Sequence, residues 1–578
     1  MTNRSSGTQE ETSVDRETKQ CSNNKDVDYD QLLSAAGEFG LYQTFLIFLT
    51  CPFYFYGVCA YFGQLFLTEP SPNHWCWVPE LENLTDLERR TLAIPLDENA
   101  RFGYSQCSMY VANWTEVLSS GARPNTSWIT QPCQNGWEFN KTEIPYPTIT
   151  SEMGWVCDKG SYQATAQAAN FVGSVAGGFL LGWVSDRFGR IAAAVVSNMI
   201  GCVAGIVSIF AKNFIEFCLC RFLMGVAYDS CMMMIYLLVL ESVAPKYRTL
   251  MANLPFGIFY SLSAMALPWI AIACGHWKTL SLVTSVPMAL VLIAPFIVPE
   301  SPRWLLIKGR IDETINRVIS ISRINKKEIP SQLIEQFKVS SRNQEQVIKS
   351  RSLLDLTKKP LLRKMFVCLC IEYMCCMIIF DALIRSLGGL QFDFFISFTL
   401  VSLTEFPSLV LVSFILDLTG RKWLSILCLL VSGIFSVLTA FLSGGLLSVL
   451  CAVAARFAVN MCVNIALQWG AEMMPTQVRG SSQSVIHICG YIATILSPYI
   501  VYLEIYVTWL PLVIVGIVAI IAALSAIALP ETACKDMPQT FEDAEVLITN
   551  QKMFEIPCLN KRPVENVKGE TNLSFELN

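Results

Sequence analysis

The sequence is poor in charge and in histidine, and it lacks the motifs of several functional classes. Charged residues make up 15% of its 578 residues, whereas a soluble domain usually carries about a quarter. The three histidines are scattered, and neither a nucleophile–base pair nor a metal-ligand constellation stands out. No GxxxxGK(S/T) motif of an ATP-driven pump occurs, and no basic patch favours nucleic acid. We therefore expect no enzyme, no cofactor, no metal and no nucleic-acid partner.

Apolar residues fill the place of the missing charge, at 53% of the chain. Apolar runs of at least about 18 residues predict helices that cross a lipid bilayer. We predict twelve such spans, near 41–66, 161–184, 191–211, 214–240, 249–273, 277–298, 365–387, 394–416, 422–443, 445–470, 479–504 and 507–529. The fold class is therefore an all-α, multi-pass membrane protein. The first 40 residues are polar, so we expect no cleaved signal peptide.

A long hydrophilic segment, 67–160, follows the first span. It contains four tripeptides of the glycosylation acceptor pattern, at Asn83, Asn113, Asn125 and Asn140. It also contains four cysteines, which fit two disulfides with three possible pairings: Cys76, Cys107, Cys133 and Cys157. Glycans and disulfides both require a non-cytosolic compartment. We therefore expect this loop to be extracellular in a plasma-membrane glycoprotein.

A second hydrophilic segment, 299–364, carries fifteen Lys or Arg residues. Because Lys and Arg accumulate on the cytoplasmic side, we place this segment and both termini in the cytosol. Amphipathic helices are expected in it, for example over 311–324. The expected organisation is a tail (1–40), a six-helix bundle (41–298), a cytosolic linker (299–364), a second bundle (365–529) and a tail (530–578).

A phrase of charge and glycine closes the second span and recurs after the eighth. GWVSDRFGR runs from Gly182 to Arg190 and DLTGRK from Asp417 to Lys422, with their Asp and Gly residues 231 positions apart. The same offset relates three further pairs of residues, namely Glu241 to Glu472, Arg248 to Arg479 and Glu300 to Glu531. Three charged signatures in one register indicate a duplicated six-helix bundle. Such repeats place a substrate site between the halves, near the bilayer midplane.

These charges all fall at predicted cytosolic helix ends, where they can form a network that breaks and re-forms. Exposed ion pairs contribute only about 0–1 kcal/mol each, which suits the biasing of a two-state equilibrium. The alternative is that they only set topology and anchor loops. The predicted cytosolic gate consists of Asp186, Arg187, Arg190, Glu241, Arg248, Glu300, Arg303, Asp417, Arg421, Glu472, Arg479 and Glu531.

Four further motifs accompany the loop signature. They are the cysteine-bearing first loop, from PNHWC at 72–76 to SEMGWVCD at 151–158, PESPRWL at 299–305, AEMMPTQVRG at 471–480, and LPET at 529–532. Together the chain resembles the organic cation, anion and zwitterion (carnitine-type) carriers of the major facilitator superfamily over about 30–545. The resemblance implies two pseudo-symmetric six-helix bundles and transport by alternating access. The sequence departs from the family in having Ile191 where a second basic residue is common, and four loop cysteines where many members have six.

Ionisable residues inside spans are functional candidates by default. Glu405 resembles the family's Glu-x-Pro carboxylate, and Asp229 is a second acid. Asp381 and Arg385 lie four apart on one helix face and can instead neutralise each other. The resemblance adds aromatic residues at pocket positions. The predicted substrate-binding set is Asp229, Met232, Tyr236, Phe256, Phe259, Tyr373, Phe380, Asp381, Glu405, Asn464, Gln468, His487 and Tyr491.

Aromatic rings and carboxylates favour an organic cation or an amine-bearing zwitterion as substrate. Tyr491 favours neither charge, because relatives often carry an acid there in cation carriers and an arginine in anion carriers. An organic anion transporter therefore remains the alternative, and Arg385 could receive its carboxylate. A sugar porter, a channel and a non-transporting receptor on the same scaffold are the other readings. Na⁺, H⁺ or the membrane potential alone could drive transport.

Overall fold

The structure is a computed structural model of the chain. It describes residues 28–69, 71, 73–97, 102–121, 123–125, 128–247, 254–344, 353–390, 392–442, 444–475, 478–533, 535, 537–538 and 540–549.

Twelve helices are long and apolar enough to span a membrane, and we label them α1 to α12 in chain order. They are Leu41–Thr68, Cys157–Phe188, Arg190–Ser208, Phe214–Glu241, Phe256–Cys274, Trp277–Ile297, Pro360–Gly389, Phe394–Leu416, Arg421–Phe441, Leu446–Met473, Arg479–Ile505 and Leu510–Ile527. The predicted number of spans and their order are confirmed. The helix of α7 begins at Pro360 rather than 365, because an apolar-run criterion omits its basic first turn.

Shorter helices lie outside the spans. They are Tyr29–Ala35, Asp86–Ala93, Trp114–Ser120, Ile149–Met153, Pro302–Ile307, Ile311–Ile324, Ser331–Gln344, Leu353–Lys358 and Phe541–Thr549. The helix Ile311–Ile324 has the bounds that its sequence pattern predicts. We call the side of the molecule that carries 69–160 the loop face, and the side that carries 298–359 the linker face.

Short strands order the segment on the loop face. Strand β1 (His74–Cys76) pairs antiparallel with β4 (Trp137–Phe139), and β2 (Ser108–Tyr110) pairs antiparallel with β3 (Thr130–Pro132). A hydrophobic core of its own, built around Trp75, Tyr104 and Trp114, supports these strands. The described residues between 69 and 160 thus form a small folded unit.

Two disulfides tie this unit together. They join Cys76 to Cys133 and Cys107 to Cys157, with Cα–Cα distances of 5.1 and 5.7 Å, both in the usual range. The sequence analysis predicted two disulfides among these four cysteines but left three possible pairings open. Because Cys157 is the first residue of α2, the second bridge anchors the unit to the membrane bundle.

The helices pack first within each half of the chain. In the first half α4 packs against α1, α2 and α3, and in the second half α9 packs against α10 and α12. The two halves meet mainly through α5 with α8 and through α2 with α11. The interface between the halves is therefore formed by facing helices of two six-helix bundles.

Two of the interface helices are irregular. Helix α8 is interrupted at Thr404, between segments Phe394–Leu403 and Glu405–Thr419. Pro407 has no N–H to give to the carbonyl of Leu403, so the local helix ladder breaks there. Helix α5 begins with a π-helical turn over Phe256–Tyr260, a distortion that often occurs at functional sites. Both distortions lie beside residues of the predicted substrate site.

Candidate functional site

Glu300 and Glu531 occupy the same position in the two halves. The carboxylate of Glu300 accepts hydrogen bonds from the backbone N–H groups of Arg190 and Ile191, at 3.0 and 3.2 Å. The carboxylate of Glu531 accepts the equivalent bonds from Arg421 and Lys422, at 2.9 and 3.0 Å. A carboxylate at a helix N-terminus satisfies free N–H groups and opposes the positive end of the helix dipole. The 231-residue repeat is thus found in these hydrogen bonds as well as in the sequence.

Glycine is required before each of these helices. Gly189 and Gly420 have φ values of +108° and +85°, which favour glycine strongly. A Cβ on Gly189 would lie 2.2 Å from Oε2 of Glu300. The segments GWVSDRFGR and DLTGRK therefore form tight turns. At each turn, a glutamate from the C-terminal end of the same bundle caps the helix that begins directly after the glycine.

Each half also has an ion pair at equivalent positions of the 231-residue repeat. Arg190 Nη2 lies 3.2 Å from Glu241 Oε1, and Arg421 Nη2 lies 2.9 Å from Glu472 Oε1. Arg190 additionally contacts exposed Asp186 at 3.0 Å. Each pair joins residues of the same half, so these described contacts stabilise each bundle on the linker face rather than linking the two bundles.

Glu472 and Arg479, which the sequence analysis placed in one charge network, do not pair with each other in the described structure. Glu472 is already held by Arg421 and accepts hydrogen bonds from Thr532 and Gln468. Arg479 instead donates its Nε–H to the carbonyl of Met474, at 3.2 Å. The spacing of seven residues crosses a helix end here, so the two side chains do not share a helix face.

The other predicted gate residues have different positions. Arg187 and Arg303 are exposed and make no ion pair among the residues that the structure describes. Arg248 and the side chain of Asp417 lie outside the described residues.

The two halves make polar contact toward the loop face. Asp381 binds Arg385 on the same helix, with Oδ2 2.5 Å from Nε, and accepts a hydrogen bond from Tyr61 of the first half at 2.8 Å. Arg385 Nη1 donates to Oε1 of Gln167 in α2 at 2.5 Å. Asp381 is fully buried. The alternative that Asp381 and Arg385 neutralise each other is therefore correct, and the pair bridges the halves.

Aromatic packing closes the interface beside this cluster. The ring of Phe66 lies 5.5, 6.1 and 4.9 Å from those of Phe394, Phe395 and Phe398. Tyr146 of the loop-face unit packs on Phe395 and donates a hydrogen bond to the carbonyl of Phe66. Loop-face contacts thus join the halves, while the linker-face ion pairs stay within each half.

Glu69 lies at the edge of this closed surface, just beyond α1. It accepts a hydrogen bond from Gln163 at 3.1 Å. A Cβ on Gly388 of the other half would lie 2.8 Å from Oε1 of Glu69. Burial, and next the nearby carboxylate of Glu504, raise the pKa of Glu69 to about 8, while the hydrogen bond from Gln163 opposes the shift. Closure of the loop face therefore favours the protonated form of Glu69.

Asp229 lies deeper in the interface. The phenol of Tyr491 in α11 donates a hydrogen bond to Asp229 Oδ1 at 2.7 Å. His487, one turn before Tyr491, is close enough to Asp229 to interact with it electrostatically. Its ring centre lies 5.6 Å from that of Tyr373. No Lys or Arg of the described chain pairs with Asp229, which is half-buried. Four predicted site residues from α4, α7 and α11 thus come together around one carboxylate.

Glu405 is not a free carboxylate. Its Oε1 lies 2.8 Å from Nη2 of Arg456 in α10, and the exposed side-chain fractions are 11% for Glu405 and 0% for Arg456. Arg456 also donates to the carbonyl of Phe380 and lies 3.4 Å from the centre of the Phe380 ring. The cation that Glu405 and Phe380 hold is therefore Arg456, which the sequence analysis did not single out.

The aromatic residues of α5 form a cluster with α1. Phe256 and Phe259 lie 5.8 and 6.4 Å from Tyr54, ring to ring. Tyr236 of α4 is close enough to Tyr54 to influence it electrostatically. Met232 packs against α1, because a Cβ on Gly57 would lie 2.7 Å from its sulfur atom. Met232 is thus a packing residue, whereas Phe256, Phe259 and Tyr236 are half-buried.

Three polar side chains of α10, at 460, 464 and 468, fall in two regions. Asn460 donates to Thr404 at the break of α8, at 2.9 Å, and Asn464 donates to the carbonyl of Asn460 at 2.8 Å. Gln468 is exposed and donates to Glu472 at 3.0 Å. Gln468 therefore belongs to the linker-face ion-pair region and not to the interface around Asp229.

The sequence analysis missed several residues that the fold places at this interface. Tyr61 and Gln167 hold the Asp381–Arg385 pair. Tyr228 lies between Tyr61 and Tyr491, with ring centres 4.9 and 6.0 Å away. A buried arginine in an apolar run was the available signal for Arg456, but Tyr61 and Tyr228 lie in aromatic runs with no feature of their own.

Comparison with known proteins agrees with this architecture. Residues 109–544 match the family described as "Sugar (and other) transporter". The inward open conformation of the xylose transporter XylE from E. coli superposes with a TM-score of 0.54 at 18% identity, covering 67% of this chain and 90% of that chain. This likeness supports the major facilitator fold.

Curated relatives match along most of the chain. A carcinine transporter of Drosophila melanogaster is 29% identical over 538 residues, covering 90% of this chain and 79% of that protein. Solute carrier family 22 member 3 of Rattus norvegicus is 29% identical over 548 residues, covering 90% and 96%. The organic cation transporter protein of Drosophila melanogaster is 28% identical over 531 residues, covering 89% and 94%. With its twelve spans, its duplicated charge clusters and these matches, the chain belongs to the sugar (and other) transporter family of the major facilitator superfamily, and its relatives include the organic-ion carriers that its motifs resemble.

Proposed function

We propose that the protein carries small organic cations or amine-bearing zwitterions across the membrane by alternating access. The observation that carries the proposal is Asp229, a carboxylate at the interface of the two halves with no described basic partner. Glu405 and Asp381 are each neutralised by an arginine, which leaves Asp229 as the acid best placed to bind an ammonium group.

Aromatic rings around Asp229 suit the same ligand. Tyr228, Tyr373 and Tyr491 lie next to it. An ammonium group over such a ring gains roughly 0.5–2 kcal/mol, and the pull of the carboxylate is stronger in a site of low dielectric constant. Tyr491 can turn its hydroxyl away from Asp229 when an amine takes its place, so the hydrogen bond of 2.7 Å holds the carboxylate without blocking it.

Relatives named for carcinine and for organic cations support the same substrate class. The alternative of an organic anion would need an unpaired cation at the interface. Arg385 and Arg456 are both ion-paired, so neither offers a free charge to a substrate carboxylate. A zwitterion remains compatible, because its amine can bind Asp229 while its carboxylate stays near solvent.

The membrane orientation follows from the same proposal. The loop face, with its disulfides, faces the outside of the cell, and the linker face lies in the cytosol of a plasma-membrane protein. Asn83, Asn113 and Asn125 are exposed, and Asn140 is half-buried, so all four remain candidate glycosylation sites. In this orientation the described contacts close the outside, and opening of the outside must break the Asp381–Arg385 cluster.

The linker-face clusters then act as rigid supports for each bundle during this movement. They keep helix ends fixed within a half while the contacts between halves change. In this proposal Asp186, Arg190, Glu241, Glu300, Arg421, Glu472 and Glu531 hold helix ends in place within each half and do not form a gate between the halves.

Transport in proteoliposomes tests the proposal. Uptake of monoamines, betaines, amino-acid derivatives and organic anions should be compared with and without Na⁺ and with a pH gradient, which also identifies the coupling ion. The Asp229→Asn variant should lose cation uptake at wild-type protein density, because the amide keeps the shape but not the charge. Asp158→Asn, in the loop-face unit, is the matched control and should transport normally. Normal cation uptake by Asp229→Asn, or selective uptake of anions by the wild type, would overturn the proposal.

A further inference from the structure

A cluster of four buried polar side chains lies inside the second half, away from the interface around Asp229. Glu372 and Cys376 are four residues apart on α7, Ser425 comes from α9 and Cys462 from α10. All four are fully buried. We call them the Glu372 cluster.

The donor atoms of this cluster are close together. Sγ of Cys376 lies 3.4 Å from Sγ of Cys462, and Ser425 Oγ lies 3.3 Å from the same Cys462 sulfur. Ser425 donates to Glu372 Oε1 at 2.6 Å. The ligand atoms of Glu372, Cys376 and Cys462 all lie within 4.8 Å of one another.

Ordinary packing accounts for the cysteines but not for Glu372. Buried cysteines behave as small hydrophobic residues, whereas a carboxyl group inside a membrane bundle is costly unless it is compensated. Glu372 Oε2 has no hydrogen-bond partner among the described residues. Oε2 of Glu372 therefore needs a further partner, and a group bound at the centre of the cluster would provide one.

We propose that the Glu372 cluster is a binding site for a borderline divalent transition-metal ion, with Zn²⁺ as its best fit. Two sulfur donors and the unpartnered Oε2 of Glu372 are ligand types that Zn²⁺ binds, and Ser425 holds the other carboxylate oxygen through its hydrogen bond of 2.6 Å. Two sulfur atoms ~2.3 Å from Zn²⁺ stand ~3.8 Å apart at tetrahedral angles. The observed 3.4 Å between the sulfur atoms of Cys376 and Cys462 is within half an ångström of this separation.

Charge supports the same occupant. A divalent cation balances the carboxylate of Glu372 together with one thiolate, so a neutral buried cluster forms when one of the two thiols releases its proton on binding. Hard cations such as Ca²⁺ and Mg²⁺ prefer all-oxygen sites. The ion would fasten α7 to α10 and make the second bundle a stiffer body. The sequence analysis expected no metal site because these ligands lie on two helices that are far apart in the sequence.

The other group of possible metal ligands in the described chain does not compete with this assignment. His74 lies near Cys107 and Cys157, but these two cysteines form a disulfide and have no thiolate to offer.

Zn²⁺ alone is the probe for the test, added to full-length protein purified in metal-free detergent buffer. Elemental analysis should find about one Zn²⁺ per chain, and Zn²⁺ should raise the unfolding temperature. Glu372→Gln and Cys462→Ala should each weaken Zn²⁺ binding at least tenfold, in line with the ~10–100-fold losses seen when even a supporting contact of a metal site is removed. Cys202→Ala, a buried cysteine of α3, should behave as the wild type. Co²⁺ in place of Zn²⁺ should give thiolate-to-metal charge-transfer absorption.

Three results would overturn the assignment. They are a wild type with neither bound Zn²⁺ nor a Zn²⁺-dependent unfolding temperature, variants that bind as the wild type does, and a Cys376–Cys462 disulfide in non-reducing mass spectrometry of the protein. Glu372→Gln preserves the shape of the side chain, so this variant decides the matter if Cys462→Ala does not fold.

Discussion

The Glu405–Arg456 pair gives a prediction whose size follows from its burial. Arg456 is fully buried and Glu405 nearly so, 2.8 Å apart. Removing one partner of such a pair leaves an uncompensated charge and costs about 3–5 kcal/mol, whereas replacing both by apolar residues is often neutral. Arg456→Leu should therefore lower the free energy of unfolding by about 3–5 kcal/mol. Glu405→Leu should cost less, because Arg456 keeps the Phe380 carbonyl and ring.

A double-mutant cycle measures this coupling. The doubly substituted Arg456→Leu, Glu405→Leu protein should be more stable than the Arg456→Leu protein, with a coupling energy of roughly 2 kcal/mol or more. Reversible unfolding in mixed micelles, followed by fluorescence, supplies the four free energies. If each single substitution costs less than about 1 kcal/mol and the two effects simply add, the pair is not the buried unit described here.

The remaining predictions concern the turns, the outer edge and the disulfides. Gly189→Ala should destabilise the protein, because its φ is +108° and Glu300 fills the space, whereas Gly182→Ala meets nothing within 4 Å and should not; thermal unfolding compares them. Since Glu69 has a raised pKa when the loop face is closed, closure should weaken as external pH rises from about 4.5 to about 8, by at most tenfold per unit. Measurement of the transport turnover rate as a function of external pH tests this prediction. The Glu69→Gln variant should show a flatter dependence of turnover on pH. Cys107→Ser should cost about 2–5 kcal/mol through the lost disulfide, measured by unfolding; an unchanged protein would contradict its anchoring role.

Sequence patterns predicted the parts of this fold that depend on local composition. Apolar runs located the twelve spans because lipid requires every backbone group to bond within its own helix. The 231-residue offset predicted that Glu300 and Glu531 are equivalent. It did not reveal that both cap helices, since that contact joins residues about 110 positions apart.

Partner choice could not be read from the sequence. Glu472 lies seven residues from Arg479 but pairs with Arg421, because helix packing brings α9 beside α10. Glu405 was predicted to hold a substrate amine, yet Arg456 holds it. These ion-pair partners depend on how the helices pack against one another, and the spacing of residues along the sequence does not determine that packing.

A cross-link across the loop face tests the central claim, that two bundles alternate around a site at Asp229, most directly. Thr165 of α2 and Tyr499 of α11 lie side by side, with their oxygens 3.3 Å apart. Cysteines at both positions, joined by a short bifunctional thiol reagent, should stop uptake of an organic cation while binding from the linker side persists. Each single-cysteine protein treated in the same way should still transport. Undiminished uptake by the cross-linked protein would contradict the account.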